Sequence, residues 1–185
     1  MGTKKVFTKI DLYWGYNNAQ IKKRDKWKIA FIMHLGVYEP TVIFFSLTNS
    51  LAIFQAIMNN ILKDLIGIGD MVAFIDDILV ETKDKKRYNK IVEEVLKRIE
   101  INDLYVKSEK YMWKVKEIGF LELVIETKDI KMQKEKIVGV LEWLRSKMVK
   151  DMQKFLELAN YYRWFIKDFA KIAKLLHKLV RKNKK

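Results

Sequence analysis

Two adjacent aspartates interrupt an otherwise apolar run of ten residues, and this pair limits what the chain can fold into. Five apolar residues, 71–75, precede Asp76 and Asp77, and three more, 78–80, follow them. Short apolar runs bounded by polar residues predict strands, so the run predicts two strands joined at the carboxylates. A buried carboxylate without a partner loses hydration worth several kcal/mol. The pair therefore needs a cation or a place in an exposed turn that caps a hairpin; the dipeptide alone favours the turn.

Asp11 is the candidate for a third carboxylate beside this pair. Residues 6–12 alternate apolar and polar side chains, which predicts a strand that ends near Asp11, with a turn at Gly15. Mg²⁺ prefers carboxylate oxygens and leaves room for phosphate oxygens. Two such ions about 4 Å apart can activate a hydroxyl group and stabilise a leaving pyrophosphate. Asp11, Asp76 and Asp77 are therefore a candidate metal-binding and catalytic set.

The hydrophobic pattern divides the chain near residue 130. Before that point strand-like and helix-like patterns alternate, and beyond it apolar residues recur at spacings of three and four. The predicted strands are short runs within 19–45, then 104–106, 111–115 and 118–125; the predicted helices span about 50–65, 91–99 and most of 134–185. The sequence thus predicts a mixed α/β part followed by an all-helical part.

The charge follows the same division. The chain carries 37 basic and 23 acidic side chains, a net charge of +14, and residues 131–185 hold 16 basic and 5 acidic side chains, a net charge of +11. This excess favours an anionic partner such as nucleic acid, although a solvated lysine-rich surface accounts for it equally well. A third interpretation is that the basic amphipathic C-terminal helix binds acidic membranes or a calmodulin-like partner.

Several classes of protein are excluded by residues that the sequence lacks. Cysteine is absent and histidine occurs only as His34 and His177, which excludes a disulfide framework and a thiolate metal site. The sequence contains neither an apolar run of about 18 residues nor the apolar core of a signal peptide. We therefore expect an intracellular protein, cytoplasmic or nuclear, with no membrane partner.

Further motifs surround the three aspartates in a fixed order. They are Phe7-Thr8-Lys9-Ile10-Asp11-Leu12 with Gly15-Tyr16, Lys28-x-Ala30-Phe31, Gly36-x-Tyr38, Leu47-Thr48-Asn49, Ala52-x-Phe54-Gln55, Phe74-Ile75-Asp76-Asp77, Leu104-Tyr105-Val106-Lys107 and Leu158-Ala159-Asn160-Tyr161-Tyr162-Arg163. In order and spacing they resemble reverse transcriptases (RNA-directed DNA polymerases) of gypsy-class LTR retrotransposons. The resemblance covers nearly the whole chain.

The resemblance implies an α+β fold shaped like a right hand. Residues 1–130 would form the palm, an antiparallel sheet backed by helices, with partial fingers, and residues 131–185 would form a basic helical thumb. By the same resemblance the partners are an RNA or DNA template-primer, deoxynucleoside triphosphates, and other polyprotein segments that supply fingers and RNase H. The expected cofactor is a pair of Mg²⁺ ions, with Mn²⁺ as a substitute.

The resemblance also assigns roles to individual residues. Asp11, Asp76 and Asp77 match the catalytic, metal-binding carboxylates of the palm. The nucleotide-binding positions correspond to Tyr16, Phe45 and Ser46, and the hairpin that grips the primer end corresponds to Phe120, Leu121, Glu122 and Leu123.

Three departures from the pattern of the family that the sequence resembles bear on activity. The sequence begins ten residues before Asp11, so we expect the upstream fingers strands to be largely missing. The usual Pro-Phe-Gly-Leu reads Phe44-Phe45-Ser46-Leu47, and the usual Leu-Gly-His reads Leu121-Glu122-Leu123, which puts a carboxylate beside a phosphate backbone. We therefore expect the isolated chain to be weakly active or inactive. The alternative function is a catalytically inactive remnant of a retrotransposon polyprotein that binds nucleic acid.

Overall fold

The computed structural model describes residues 6–82, 84–143 and 148–182. Its contacts divide the chain into two compact units, Met1–Phe120 and Leu121–Lys185. The first unit combines strands and helices, and the second holds one hairpin and three helices. The predicted α+β class is confirmed.

The first unit contains eight strands, three α-helices and three short 3₁₀ helices within its described residues. The strands are β1 Val6–Tyr13, β2 Phe31–Met33, β3 Gly36–Tyr38, β4 Met71–Phe74, β5 Asp77–Thr82, β6 Tyr105–Val106, β7 Met112–Val115 and β8 Glu117–Phe120. The α-helices are α1 Ser50–Ile61, α2 Lys63–Gly67 and α3 Lys85–Ile101, and the 3₁₀ helices are Gly15–Asn18, Lys23–Ile29 and Ser108–Lys110.

The main sheet places β1 at its centre. Its strand order is β4-β5-β1-β6, with β7 also paired to β1, and the pairs to β1 are antiparallel. One face is covered by helices, because α1 buries Phe54 and Met58 and α3 buries Val95 and Ile99 against the sheet core. Burying each such side chain contributes about 1.5–3 kcal/mol. The core thus fixes β1 and β5, which carry two of the three candidate aspartates.

Helix α3 begins where the sequence supplies a cap. The Asp84 side chain accepts a hydrogen bond from the backbone N–H of Lys86 at 2.9 Å. This satisfies one of the amides that the first turn of a helix leaves unpaired.

Two expectations about secondary structure were wrong. Residues 19–45 form little β structure: β2 and β3 make a short, exposed hairpin, and residues 23–29 are a 3₁₀ helix. Within the described residues, the pairing of this segment is limited to the three-residue strands β2 and β3 and an isolated bridge between Gln20 and Val42. The predicted strand 118–125 is interrupted, because Leu121 and Glu122 both have positive φ, which ends β8 and starts a new strand.

The second unit is a hairpin followed by helices. Strands β9 Leu123–Glu126 and β10 Ile130–Met132 pair antiparallel, and they precede α4 Lys134–Leu141, α5 Val149–Tyr161, a 3₁₀ turn Arg163–Phe165 and α6 Phe169–Lys182. Leu156, Ala159, Tyr162 and Ala173 are its buried apolar residues among those described. Across the described ranges, no helix is both long enough and apolar enough to cross a membrane.

Candidate active site

Antiparallel pairing brings the predicted carboxylates to one end of the main sheet. Asp11 on β1 lies directly opposite Asp77 at the start of β5. Phe74 pairs with Asp77, so Ile75 and Asp76 form the two-residue turn between β4 and β5. The backbone N–H of Leu12 donates to the Asp76 carbonyl oxygen at 2.8 Å, which joins this turn to β1. The two distant sequence segments therefore meet at the three aspartates.

Gln55 holds the turn that carries Asp76. Ile75 has a φ of 54°, in the left-handed region that a β-branched residue rarely adopts. Gln55 Oε1 accepts from the Ile75 N–H at 2.7 Å, and its Nε2 donates to the Ala73 carbonyl oxygen at 3.0 Å. One side chain thus satisfies two backbone groups of the turn. Sequence reasoning quoted Gln55 in a motif without giving it this role.

Gly15 makes room for the Asp76 carboxylate. A Cβ atom at this position would lie 2.3 Å from Asp76 Oδ1 and 2.6 Å from Phe54 Cζ. Both distances are too short for a real contact, so a glycine is required because the backbone itself approaches the carboxylate closely.

Two lysines hold the other two carboxylates. Lys107 Nζ lies 2.8 Å from Asp11 Oδ1, and Lys9 Nζ lies 2.8 Å from Asp77 Oδ1. Sequence reasoning missed both contacts. The signal for Lys9 is its position two residues before Asp11, which places both side chains on one face of β1. Lys107 is brought to Asp11 by the pairing of β6 with the end of β1.

The electrostatics of the site centre on Asp76. Its Oδ1 is buried and makes no hydrogen bond within the described part of the chain. Burial raises the pKa of Asp76, the charge of Lys107 opposes this, and the charges of Asp11 and Asp77 raise the pKa further. The pKa of Lys107 is raised, first by its hydrogen bond to Asp11. The site thus concentrates negative charge that lysine only partly neutralises.

Carboxylate oxygens are suitable ligands for a divalent cation, but the three aspartate side chains are not arranged around a common cation position. Among the described residues, no group of three or more His, Cys, Asp or Glu side chains is arranged to hold a metal ion. Three carboxylates are nevertheless the ligands that Mg²⁺ prefers, and the partnerless Asp76 Oδ1 is an atom that a cation would satisfy. To bind a cation, the Asp11 and Asp77 carboxylates would have to give up their contacts with Lys107 and Lys9.

The predicted nucleotide-binding residues lie in two segments. Tyr16 belongs to the 3₁₀ helix that starts at Gly15, and its side chain lies outside the described residues. Phe45 and Ser46 are exposed in the turns before α1, with 75% of Phe45 accessible. Their role in binding nucleotide stays a prediction.

The predicted primer-grip residues surround the turn after β8. Phe120 is the buried last residue of β8, Leu121 and Glu122 form the turn, and Leu123 begins β9. The Glu122 carboxylate, expected to repel phosphate, is already paired with Lys136 Nζ at 2.6 Å. Contact with a primer stays a prediction.

Comparisons with known proteins assign the family. The family model for reverse transcriptase (RNA-dependent DNA polymerase) matches residues 1–125. The chain is 35% identical, over 98% of its length, to a retrovirus-related Pol polyprotein from transposon opus of Drosophila melanogaster, of which it covers 18%. It is 30% identical, over 96% of its length, to the transposon Tf2-3 polyprotein of Schizosaccharomyces pombe, of which it covers 13%. The chain therefore spans less than a fifth of either relative.

Solved structures agree with the sequence comparison. The foamy viral protease-reverse transcriptase in complex with an RNA/DNA hybrid is similar over 96% of this chain and 24% of that one, with a TM-score of 0.81 and 27% identity. A structure of the same viral enzyme with double-stranded DNA gives a TM-score of 0.85 and 26% identity, over 98% of this chain and 32% of that one. The resemblance drawn from the ordered motifs is confirmed, and the chain belongs to the reverse transcriptase (RNA-dependent DNA polymerase) family.

Proposed function

We propose that the chain is the palm and thumb part of an RNA-directed DNA polymerase that adds deoxynucleotides to a primer 3′ hydroxyl. The observation that carries this proposal is the register of β1 and β5, which sets Asp11 opposite Asp77, next to the buried Asp76 Oδ1 that has no hydrogen-bond partner among the described residues. A structural turn would not need to bury an unsatisfied carboxylate oxygen. A cation-binding site does need such an oxygen.

In this proposal the three aspartates hold two Mg²⁺ ions, for which Mn²⁺ substitutes. Bound metal would lower the barrier for hydroxyl attack and neutralise charge on the leaving pyrophosphate. Gln55 fixes the Asp76 turn through its hydrogen bonds to Ile75 and Ala73. Gly15 leaves the carboxylate the space it occupies. Tyr16, Phe45 and Ser46 are the proposed nucleotide-binding residues.

The proposed nucleic-acid partner is a template-primer duplex of RNA or DNA. Residues 131–185 carry a net charge of +11, which suits a thumb that follows a phosphate backbone. The similar viral enzyme is in complex with an RNA/DNA hybrid in one structure and with double-stranded DNA in another, which supports this choice. We assign the palm and partial fingers to 1–130 and the thumb to 131–185.

The whole reaction needs parts beyond this chain's own residues. Because the relatives are far longer polyproteins, we propose that other polyprotein segments supply fingers and RNase H. The alternative, an inactive nucleic-acid-binding remnant, is not favoured, since strand pairing brings Asp11, Asp76 and Asp77 to one end of the main sheet.

Primer extension on an RNA template tests the proposal. Together with the polyprotein segments that supply fingers, the chain should incorporate deoxynucleotides in Mg²⁺, and a variant with Asp76→Asn and Asp77→Asn should not. Duplex binding of equal affinity in both proteins, with no incorporation in either, would contradict the polymerase function and support the remnant.

A further inference from the structure

The turn before β9 has a backbone conformation that is unfavourable for residues with a Cβ atom. Leu121 has a φ of 48° and Glu122 a φ of 62°, so two consecutive residues with a Cβ are left-handed. This conformation costs about 1–2 kcal/mol per residue with a Cβ, and glycine is its usual occupant. Contacts to these two residues must offset that cost.

Three side chains supply those contacts. Tyr161 Oη donates to the Leu121 carbonyl oxygen at 2.6 Å. Lys136 Nζ donates to Glu122 Oε1 at 2.6 Å, and Tyr162 Oη donates to Glu122 Oε2 at 3.1 Å. Each oxygen of the Glu122 carboxylate therefore has a partner, one from α4 and one from the end of α5.

The two hydrogen-bond partners of Glu122 differ in burial and in charge. Tyr162 is buried, with 1% of its surface accessible, and burial together with the Glu122 carboxylate raises its pKa to about 12. It remains a neutral donor. The Lys136 side chain is 37% accessible and carries a full charge that a solvent anion can reach. The pKa of Glu122 is lowered mainly by the hydrogen bond from Lys136, so the Glu122 carboxylate is ionised at neutral pH.

We propose that Glu122 withholds the Lys136 ammonium from the phosphate backbone of a bound duplex. Glu122 thereby weakens the binding of the duplex by the second unit. The inference rests on the proposed function and on the prediction that residues 120–123 grip the primer end. A carboxylate and a phosphate compete for the same ammonium group because both are oxygen acceptors of negative charge. Freeing the lysine adds one phosphate contact, which steepens the dependence of log affinity on log salt by about 0.9.

The test compares binding of a fluorescent primer-template duplex over a range of KCl concentrations. Glu122→Gln keeps the side-chain shape and an acceptor for Tyr162 but removes the charge that holds Lys136. We expect this variant to bind about five- to tenfold more tightly near 0.1 M salt, with a salt slope steeper by about 0.9. Adding Lys136→Met to it should abolish both gains.

Glu126→Gln is the matched control. Glu126 forms a similar exposed pair with Lys131, at 2.7 Å, outside the predicted primer grip. Glu126→Gln changes the net charge of the chain by the same amount as Glu122→Gln. A smaller gain in duplex affinity in Glu126→Gln than in Glu122→Gln therefore separates the local effect of Glu122 from the effect of overall charge. Thermal unfolding of each variant confirms that it folds.

Several results would overturn the inference. These are an unchanged affinity and slope in Glu122→Gln, an equal gain in Glu126→Gln, or a gain that persists without Lys136. The assay measures binding and not synthesis. A protein that extends primers but shows no effect of Glu122→Gln would remove this inference alone, and one that shows the effect without synthesis would remove the polymerase function alone.

Discussion

Lys107 contacts Asp11 through both its side chain and its backbone. Its Nζ lies 2.8 Å from Asp11 Oδ1, and its N–H donates to the Asp11 carbonyl oxygen at 2.9 Å. The ammonium charge also opposes the rise in the pKa of Asp76 that burial causes, so it acts on more than one carboxylate. Lys107 therefore supplies part of the positive charge that balances the negative charge of the aspartates.

Replacing Lys107 by Met should make the protein depend on a cation. Loss of the charged hydrogen bond should lower the free energy of unfolding by about 1–3 kcal/mol without metal. Mg²⁺ should then raise the melting temperature more in this variant than in the unmodified chain, since no ammonium competes for Asp11. Lys171→Met, which breaks an exposed pair with Asp168, is the control. An equal response to Mg²⁺ in all three proteins would contradict the prediction.

Asp76 should make the metal-free protein less stable as pH rises. Burial raises its folded pKa above its ordinary value of 3.8, so the folded state binds more protons than the unfolded state between the two pKa values. The stability that this group contributes is complete below the unfolded pKa and is lost as pH rises through the folded pKa. Urea unfolding without metal should therefore show Asp76→Asn gaining stability relative to the unmodified chain as pH rises from about 4, the ordinary pKa of an aspartate, through the raised folded pKa. A difference that does not change with pH would show that burial does not raise this pKa.

Gly15→Ala should displace the Asp76 carboxylate. The new Cβ would overlap Asp76 Oδ1 and the Phe54 ring, which we expect to lower stability by about 1–3 kcal/mol and to remove primer extension. Gly67→Ala is a matched control, because its Cβ would meet nothing within 4 Å at the end of α2. The pair of variants is compared by thermal unfolding and by primer extension. Retained extension in Gly15→Ala would show that the close approach is not needed.

Gln55→Leu should loosen the turn that carries Asp76. The substitution leaves the Ile75 N–H and the Ala73 carbonyl oxygen without this partner, which costs about 1–3 kcal/mol for each buried group. Hydrogen exchange of the Ile75 amide should accelerate. Asn59→Ala, which removes only an exposed contact to Gln55, should leave that rate nearly unchanged. Equal rates in the unmodified chain and Gln55→Leu would mean that backbone pairing alone holds the turn.

The three aspartates could be singled out as a candidate set because their signal is local. A charged pair inside an apolar run is rare, and a strand that ends at Asp11 is visible from alternation alone. To meet at one end of the sheet they require the pairing of segments 65 or more residues apart; the chemistry of a metal site pointed to Asp11 as the third carboxylate, and the family resemblance supported that choice.

Other features of the site and fold depend on tertiary structure. The lysine contacts of Asp11 and Asp77 follow from sheet register, which the sequence does not state. The β structure expected over 19–45 is mostly absent from the described residues, because short apolar runs do not form a stable sheet without a long partner strand. Glu122 was expected to repel phosphate, but its pairing with Lys136 depends on how α4 packs in the second unit.

The binding of Mn²⁺ to the metal-free chain tests the central claim most directly. Electron paramagnetic resonance counts free and bound Mn²⁺ as the ion is titrated into the protein. We expect saturable binding by the unmodified chain, loss of that binding in the Asp76→Asn, Asp77→Asn variant, and tighter binding in Lys107→Met. Equal binding by the unmodified chain and the double aspartate variant would show that Asp76 and Asp77 do not hold the cation, which would contradict the account.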